Sequence, residues 1–247
     1  MNDNFNIYSK YYNLLYESKD YIAEAKYIHD CIKNNAHNAK KILEFGSGTG
    51  GHGLVFKKLG YEIYGIERSE HMVAEARNHG FDCEQADITD FSLDRNFDIV
   101  LALFHVVSYI TDNNSLNRVF RNASNQLCTS GLFIFDTWYS PAVYHQQPEI
   151  RLKKVENTEI SVIRIAEPVI RTNSNVVDVN YTIMVKDKST GSFTEFMETH
   201  PMRHFSIPEI DLLAKFNGFE LLKSEEFLSG NKPSCNTWSV CFILKKM

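Results

Sequence analysis

The sequence predicts an α/β fold: a mainly parallel sheet with helices on both faces, and a small antiparallel β lobe inserted after the fifth strand. Three observations predict it. Short apolar runs alternate with amphipathic stretches as far as Asp136, the rhythm of parallel strands and crossover helices. From Arg151 to Phe205 the pattern changes to runs rich in Val, Ile, Thr and Phe, separated by turn sequences. Where the first strand meets the next helix lies a cluster of glycines.

The elements follow in order. Ile22, Ala25, Ile28, His29 and Ile32 recur at helical spacing and predict a helix over 20–34. Residues 40–45 form strand one, and the helix carrying Leu54, Val55 and Leu59 closes at Gly60. Residues 61–66 are strand two. Ser69 caps a helix that carries Met72, Val73 and Ala76 and stops near Gly80. Residues 81–85 and 97–101 are strands three and four. A helix capped by Thr111 or Asp112 runs through Leu127, Gly131 ends it, and 132–136 is strand five. The lobe reads as β segments at 151–156, 159–169, 176–185 and 193–205, with hairpin turns at 172–175 and 188–191. Ser206 caps a last helix, with Pro208 and Glu209 in its first turn and Gly218 as its C′ residue. Residues 219–227 and 238–244 finish as a hairpin on the sheet edge. Residues 1–140 are thus a cap helix and ligand-binding core, 141–205 a substrate lobe, and 206–247 a helix and hairpin that complete the core.

Composition narrows the function classes. A net charge of −5 argues against duplex nucleic acid as a partner, which would demand a basic surface. No apolar stretch reaches the length of a membrane span. Met1-Asn2-Asp3-Asn4-Phe5 lacks the regions of a signal peptide, so a cytoplasmic location is expected. Cys31, Cys83, Cys128, Cys235 and Cys241 are odd in number and contain no C-x₂-C pair, so reduced thiols and no metal site are expected. A small-molecule substrate is the expected partner, and a homodimer stays open.

The chemical signal is Ile42-Leu43-Glu44-Phe45-Gly46-Ser47-Gly48-Thr49-Gly50-Gly51. Glycines at a strand–helix junction let the backbone turn tightly and let a ligand touch it. Gly46, Gly48 and Gly51 match G-x-G-x-x-G, which nicotinamide enzymes share. Glu44 tilts the choice. A fixed carboxylate before the loop repels a pyrophosphate and suits the cationic end of S-adenosylmethionine (SAM); Gly50 adds the spacing G-x-G-x-G. Glu67 ends strand two, where a carboxylate accepts from the ribose hydroxyls, and Arg68 and Met72 follow it. Asp87 after strand three can accept from the adenine amino group while Ile88 packs the ring. Ligands of open α/β sheets bind beyond the strands' carboxyl ends, so Leu103 and Phe104 face the cofactor and His105 is a candidate base.

These motifs resemble those of class I SAM-dependent methyltransferases over roughly residues 8–140. The resemblance implies a Rossmann-like sheet, SAM as cofactor and S-adenosylhomocysteine as its product. More narrowly, Tyr12-Asn13-Leu14-Leu15-Tyr16-Glu17-Ser18-Lys19-Asp20-Tyr21 resembles the N-terminal segment of bacterial nucleotide-sugar (deoxyaminosugar) N-methyltransferases. There the segment folds over the cofactor, which implies that Tyr12, Tyr16 and Tyr21 help close the site. Leu103–Ile110, Asp136-Thr137-Trp138-Tyr139 and His204-Phe205-Ser206 echo the same group. The sequence departs from it at Asn13, where the group often has Asp, and at Asp136-Thr137, where it has Glu-Pro.

A sulfonium is already a good leaving group, so such an enzyme must align the nucleophile and exclude water. An amine acceptor need only be neutral; a hydroxyl acceptor requires a base, for which His105, His145 and His204 are candidates, with Tyr12 as a positioning hydroxyl. Trp138, Tyr139, Tyr144 and His145 follow strand five at the expected substrate mouth, and Arg203 with His204 is placed to contact an anionic group. Two other readings remain at this point: a nicotinamide-dependent oxidoreductase, and a protein that binds SAM without turnover.

Overall fold

A computed structural model describes residue 11 and residues 14–247. Its main sheet has seven strands: β1 (Lys41–Phe45), β2 (Glu62–Glu67), β3 (Cys83–Gln85), β4 (Phe97–Ala102), β5 (Leu127–Trp138), β10 (Phe219–Glu226) and β11 (Ser239–Lys246). Their order is β3-β2-β1-β4-β5-β11-β10. β1 to β5 run parallel, and β11 is antiparallel to both β5 and β10. The helices are α1 (Tyr21–Asn35), α2 (Gly51–Lys58), α3 (Glu70–Asn78), α4 (Asn113–Gln126), α5 (Ser140–Gln146) and α6 (Ile207–Phe216).

Alternation along the strands explains the layering. Leu43, Val100, Phe133, Phe135 and Phe242 pack with Phe120 of α4 and Ile210 of α6. Their neighbours Ile42, Ile99, Leu101, Ile134 and Ile243 pack with Ile28 and Ile32 of α1 and Phe56 of α2. A sheet buried on both faces needs apolar side chains of both parities, which is why its strands read as continuous apolar runs. Asp20, Ser69, Asp112 and Ser206 cap their helices by accepting N–H bonds from Ala23, Met72, Ser115 and Glu209. Ser69 and Ser206 are caps the sequence reading named, Asp112 is the one of its two candidates that caps, and Asp20, read as the first helical residue, is a cap instead.

The second sheet is antiparallel, in the order β6 (Arg151–Glu156), β7 (Ile160–Arg171), β8 (Val176–Asp187), β9 (Phe193–Arg203). One end packs Val177, Val179 and Met202 on Val143 of α5, Trp138 and Trp238; the other packs Val162, Ile183 and Val185 on Leu15 and Tyr16. β9 also lies on the 3₁₀ turn Val106–Tyr109 that follows β4. The lobe therefore covers the carboxyl end of the core sheet.

The C-terminal hairpin forms one edge of the sheet as expected, with β10 outermost and β11 paired to β5. Three other local readings are corrected. Gly131 does not end α4: the strand begins at Leu127, and a Cβ on Gly131 would press on the Asp98 carbonyl at 2.9 Å. Ile22 is 70% exposed and does not join the α1 core stripe. The short helix α5, begun by Pro141 in its first turn, was not foreseen. No helix among the described residues is long and apolar enough to cross a membrane.

Candidate active site

β1 ends in a loop in which Gly46, Gly48 and Gly50 all take positive φ, at 62°, 55° and 84°. The three differ in what a side chain would meet. A Cβ on Gly46 would strike Val106, and one on Gly50 would strike Phe81, so these two are set by packing. A Cβ on Gly48 meets nothing within 4 Å. Gly48 thus borders open space, the place for a ligand's close approach.

Glu67 is 9% exposed and reaches back to this loop. Its Oε2 accepts the Gly48 N–H at 3.0 Å and its Oε1 accepts the Ser69 N–H at 2.9 Å. Desolvation raises the Glu67 pKa, opposed by these backbone donors. Each oxygen keeps a second lone pair for a hydroxyl.

Glu44 is the most constrained acid of the site. It is 2% exposed, and its Oε2 has no hydrogen-bond partner. Burial, with the charge of Glu67 added, pushes its carboxyl up to about 8. Its Oε1 lies 3.7 Å from Nδ1 of His52. Nε2 of His52 is 2.8 Å from Glu24, which Lys19 also holds, at 2.5 Å. Desolvation lowers the His52 pKa, so the imidazole is neutral and donates to Glu24. Desolvation raises the Glu24 pKa, but His52 and Lys19 outweigh it and hold the group below its usual range. A buried acid with an orphaned oxygen beside an open glycine loop fits a cationic ligand group, as SAM requires.

The chain Glu44–His52–Glu24–Lys19 was missed in the sequence. Its one visible signal is His52, placed directly after Gly51. Tyr21 packs edge-on to His52 at 4.9 Å and covers Gly51, where a Cβ would lie 2.6 Å from the ring. Lys19 Nζ sits 3.9 Å over the Phe104 ring, and Tyr16 meets the edge of that ring at 5.1 Å. Lys153 of β6 and Arg164 of β7 reach this segment from the lobe: Lys153 donates to the Leu15 carbonyl and Arg164 to the Tyr16 hydroxyl, at 3.0 Å in the latter case. Tyr21 thus comes to the glycine loop, and Tyr16 to Phe104 beyond β4. Tyr12 lies outside the described residues.

At the other flank, Phe104 and His105 both adopt left-handed backbone, with φ of 64° and 63°. Non-glycine residues there carry strain that surrounding contacts must hold. Nδ1 of His105 sits 2.6 Å from Asp136 Oδ2 at the end of β5, and the His105 N–H donates to Oδ1 at 3.3 Å. Desolvation raises the Asp136 pKa, and His105 with Lys19 reverses this, so the carboxylate stays ionised. The ring of Trp138 meets His105 edge-on at 6.2 Å.

Other sequence candidates have mixed placements. Met72 is buried at 5% exposure, and Arg68 is exposed on the turn after β2. Asp87 Oδ1 accepts from both the N–H and the hydroxyl of Thr89, the geometry of a turn. Ile88 packs into the main core and Leu103 into the core beneath α1 and α2. Tyr139 begins α5 and packs at the edge of the core.

Three residues have surroundings at odds with the roles read for them. His145 is exposed on the last turn of α5, with no hydrogen-bond or ion-pair partner among the described residues, because α5 turns that position outward. His204 is fully buried and bonds Ser140 Oγ at 2.8 Å, pinning β9 to α5; desolvation, then Arg203, pushes its pKa down to about 4. Arg203 is engaged by Glu209 at 2.7 Å, Asn113 at 2.8 Å and the Thr111 carbonyl at 3.2 Å, so its guanidinium ties the lobe to α4 and α6.

Comparison with known proteins agrees with this geometry. Residues 42–131 match the family model described as a methyltransferase domain. A dTDP-3-amino-3,4,6-trideoxy-alpha-D-glucopyranose N,N-dimethyltransferase of Streptomyces venezuelae is 27% identical over 195 residues, covering 78% of this chain and 81% of the relative. A SAM-dependent methyltransferase structure from Clostridium acetobutylicum shares the fold with a TM-score of 0.82 at 21% identity, covering 98% of both chains. A SAM-bound amino pentose methyltransferase from Micromonospora echinaspora gives 0.77 at 21% identity, covering 100% of this chain and 99% of its own. These findings favour methyl transfer over the nicotinamide reading: residues 42–131 match a methyltransferase domain, and the chain has the fold of the SAM-dependent methyltransferases to which it is similar.

Proposed function

We propose that this chain methylates the amino nitrogen of a nucleotide-linked amino sugar. One observation carries the reading: the orphaned, buried Glu44 carboxylate beside the open face of Gly48, which suits a cationic adenosyl ligand and no diphosphate. The amino-sugar acceptor is taken from the Streptomyces venezuelae relative, whose name specifies that chemistry.

SAM, when bound, supplies a methyl group already activated on a sulfonium. Glu44 would meet its cationic end, and the remaining lone pairs of Glu67 its ribose hydroxyls. Gly46, Gly48 and Gly50 would shape the loop beneath it, Met72 and Asp87 would flank the adenine, and Tyr16, Tyr21 and Phe104 would close the site over it. His105 Nδ1 lies 2.6 Å from the Asp136 carboxylate, and its Nε2 would accept a proton from the incoming ammonium and free its lone pair. The lobe excludes water from that step by covering the carboxyl end of the sheet.

The test is a product screen by mass spectrometry, offering SAM with dTDP-linked amino sugars, their hydroxyl analogues and nucleotide-free amino sugars. A gain of one CH₂ on the nitrogen of the nucleotide-linked amine is expected. Methylation of the hydroxyl analogue alone, or turnover of none of them by SAM-binding protein, overturns the acceptor assignment.

A further inference from the structure

Four ionisable side chains meet beside the glycine loop, and they come from four places in the sequence. Lys19 precedes α1, Glu24 lies in the first turn of α1, Glu44 is on β1, and His52 is in the first turn of α2. All four side chains are largely buried. Burying such groups is costly unless each is paired. Three of them are. Both Glu24 oxygens lie 2.5 Å from Lys19 Nζ, and Oε2 lies 2.8 Å from His52 Nε2. Glu44 is the exception. Its Oε2 has no hydrogen-bond partner among the described residues, and its Oε1 is 3.7 Å from His52 Nδ1, beyond hydrogen-bond reach.

The tautomer of His52 explains why Glu44 stays unpaired. An ionised Glu24 can only accept, so it takes the Nε2–H of a neutral imidazole. Nδ1 then carries a lone pair, and that lone pair faces Glu44. His52 therefore gives Glu44 no donor. The reverse tautomer would place an N–H against Oε1 and satisfy the acid from within the protein. Desolvation keeps the His52 ring neutral, against the pull of Glu24 and Asp136 and with the help of Lys19. The charged and titratable groups around the pair are Glu24 and Lys19 at the start of α1, Asp136 of β5, and Glu67 of β2, which acts on Glu44. Tyr21 packs on the His52 ring edge-on at 4.9 Å.

We propose that Glu24 and His52 are positioning residues that act through Glu44: Glu24 fixes the His52 tautomer, and that tautomer leaves the Glu44 carboxylate to be met by the ammonium of the bound cofactor. The inference rests on the reading of Glu44 above. A buried carboxylate that faces a lone pair lacks a donor, so a ligand ammonium supplies what the protein withholds. Lys19 extends the same wiring to the segment before α1, since its Nζ holds Glu24 and also sits 3.9 Å over the Phe104 ring. A ligand with the same adenosine and sulfur but no amino-acid part gains nothing from this arrangement.

The experiment combines NMR of the ¹⁵N-histidine-labelled full chain without ligands and calorimetry of two ligands between about pH 5 and about pH 8. The ligands are S-adenosylhomocysteine and 5′-methylthioadenosine, which lacks the ammonium. The wild-type His52 signal is expected as the neutral Nε2–H tautomer. An Nδ1–H tautomer or an imidazolium there overturns the proposal. In Lys19→Met/Glu24→Leu, which removes the ion pair whole, the tautomer is expected to change to Nδ1–H. The donor so gained favours the Glu44 carboxylate. The rise of S-adenosylhomocysteine affinity with pH then moves down by about one pH unit, while 5′-methylthioadenosine affinity changes less than about threefold. Glu24→Gln keeps the shape, and its amide N–H₂ lets Nε2 accept, so it should move both readouts the same way even if the double variant does not fold. Equal losses for both ligands, or an unmoved window in a variant that binds 5′-methylthioadenosine normally, overturns the positioning role. If Glu44→Gln leaves the preference for S-adenosylhomocysteine unchanged, the reading of Glu44 fails instead, and the tautomer still decides whether Glu24 and His52 are wired as described.

Discussion

The carboxyl edge of the core sheet and the inner face of the β lobe both bury acids beside histidines, yet they are built differently. At the core edge, Glu44 and Glu67 sit at strand ends against a glycine loop, and one oxygen of Glu44 is left without a donor. In the lobe, Glu198 is in mid-strand and pairs with His200, which meets Tyr109. The first arrangement leaves an acid open to a cation, and the second ties its acid to a histidine and a tyrosine. Position explains the difference: strand ends can present a group directly to a ligand, whereas a mid-strand residue reaches it through a neighbour.

The largest expected effect separates the two regions outright. Gly48→Val forces a β-branched residue into left-handed backbone and fills the open face of the loop. Glu67→Ala removes the carboxylate that holds the Gly48 N–H. Both are expected to abolish SAM binding by calorimetry while the lobe stays folded. Micromolar affinity retained in both would remove the glycine loop from the cofactor site. Next in size, His105→Ala and Asp136→Asn should each slow methyl transfer by about 100-fold, with SAM affinity little changed. Full turnover in His105→Ala under saturating substrate would take it off the catalytic list.

Glu44 gives a pH signature. Its carboxyl is pushed up to about 8 in the ligand-free protein, against 4.5 for the free group. A folded-state pKa above the unfolded one means that the folded form binds the extra proton between these values. Stability of the ligand-free protein should therefore fall as pH rises from about 5 to about 8. A bound cation favours the carboxylate, so SAM affinity should rise over the same window, with proton release on binding. Glu44→Gln should flatten both curves. Affinity that stays pH-independent in the wild type would mean that no cationic group meets Glu44.

How much of this was legible follows from range in sequence. The strands β1 to β5 could be read because double-sided burial writes itself as apolar runs ended by glycines. The insertion of β11 between β5 and β10 could not, since strand order is set by pairing across more than a hundred residues. Glu44 and Glu67 stood out because a local motif surrounds them. Lys19, Glu24 and His52 did not, because their pairing joins a segment before α1 to the first turn of α2. In β9, Glu198 and His200 alternate with their neighbours as any half-exposed strand would, yet both are buried where β9 lies on the Val106–Tyr109 turn.

Arg203 supplies the smallest effect and the sharpest check on the lobe. From its sequence position beside His204 it reads as an anion contact, but its guanidinium donates to Glu209, Asn113 and the Thr111 carbonyl. Hydrogen bonds to charged groups contribute about 1.5–3 kcal/mol each when buried, and partial exposure of Glu209 reduces this. Arg203→Leu keeps an apolar stem and removes the donors together with the guanidinium that lies 5.2 Å over the Phe205 ring. It should cost about 1–3 kcal/mol in urea unfolding and lower Tm by several degrees. Acceptor KM in the surviving folded protein should change less than in Arg164→Ala, whose guanidinium meets Tyr16 at the site. The opposite ranking, with Arg203→Leu stable but poor in acceptor binding, would return Arg203 to the substrate and make the end of β9 the part of the lobe that reads the acceptor.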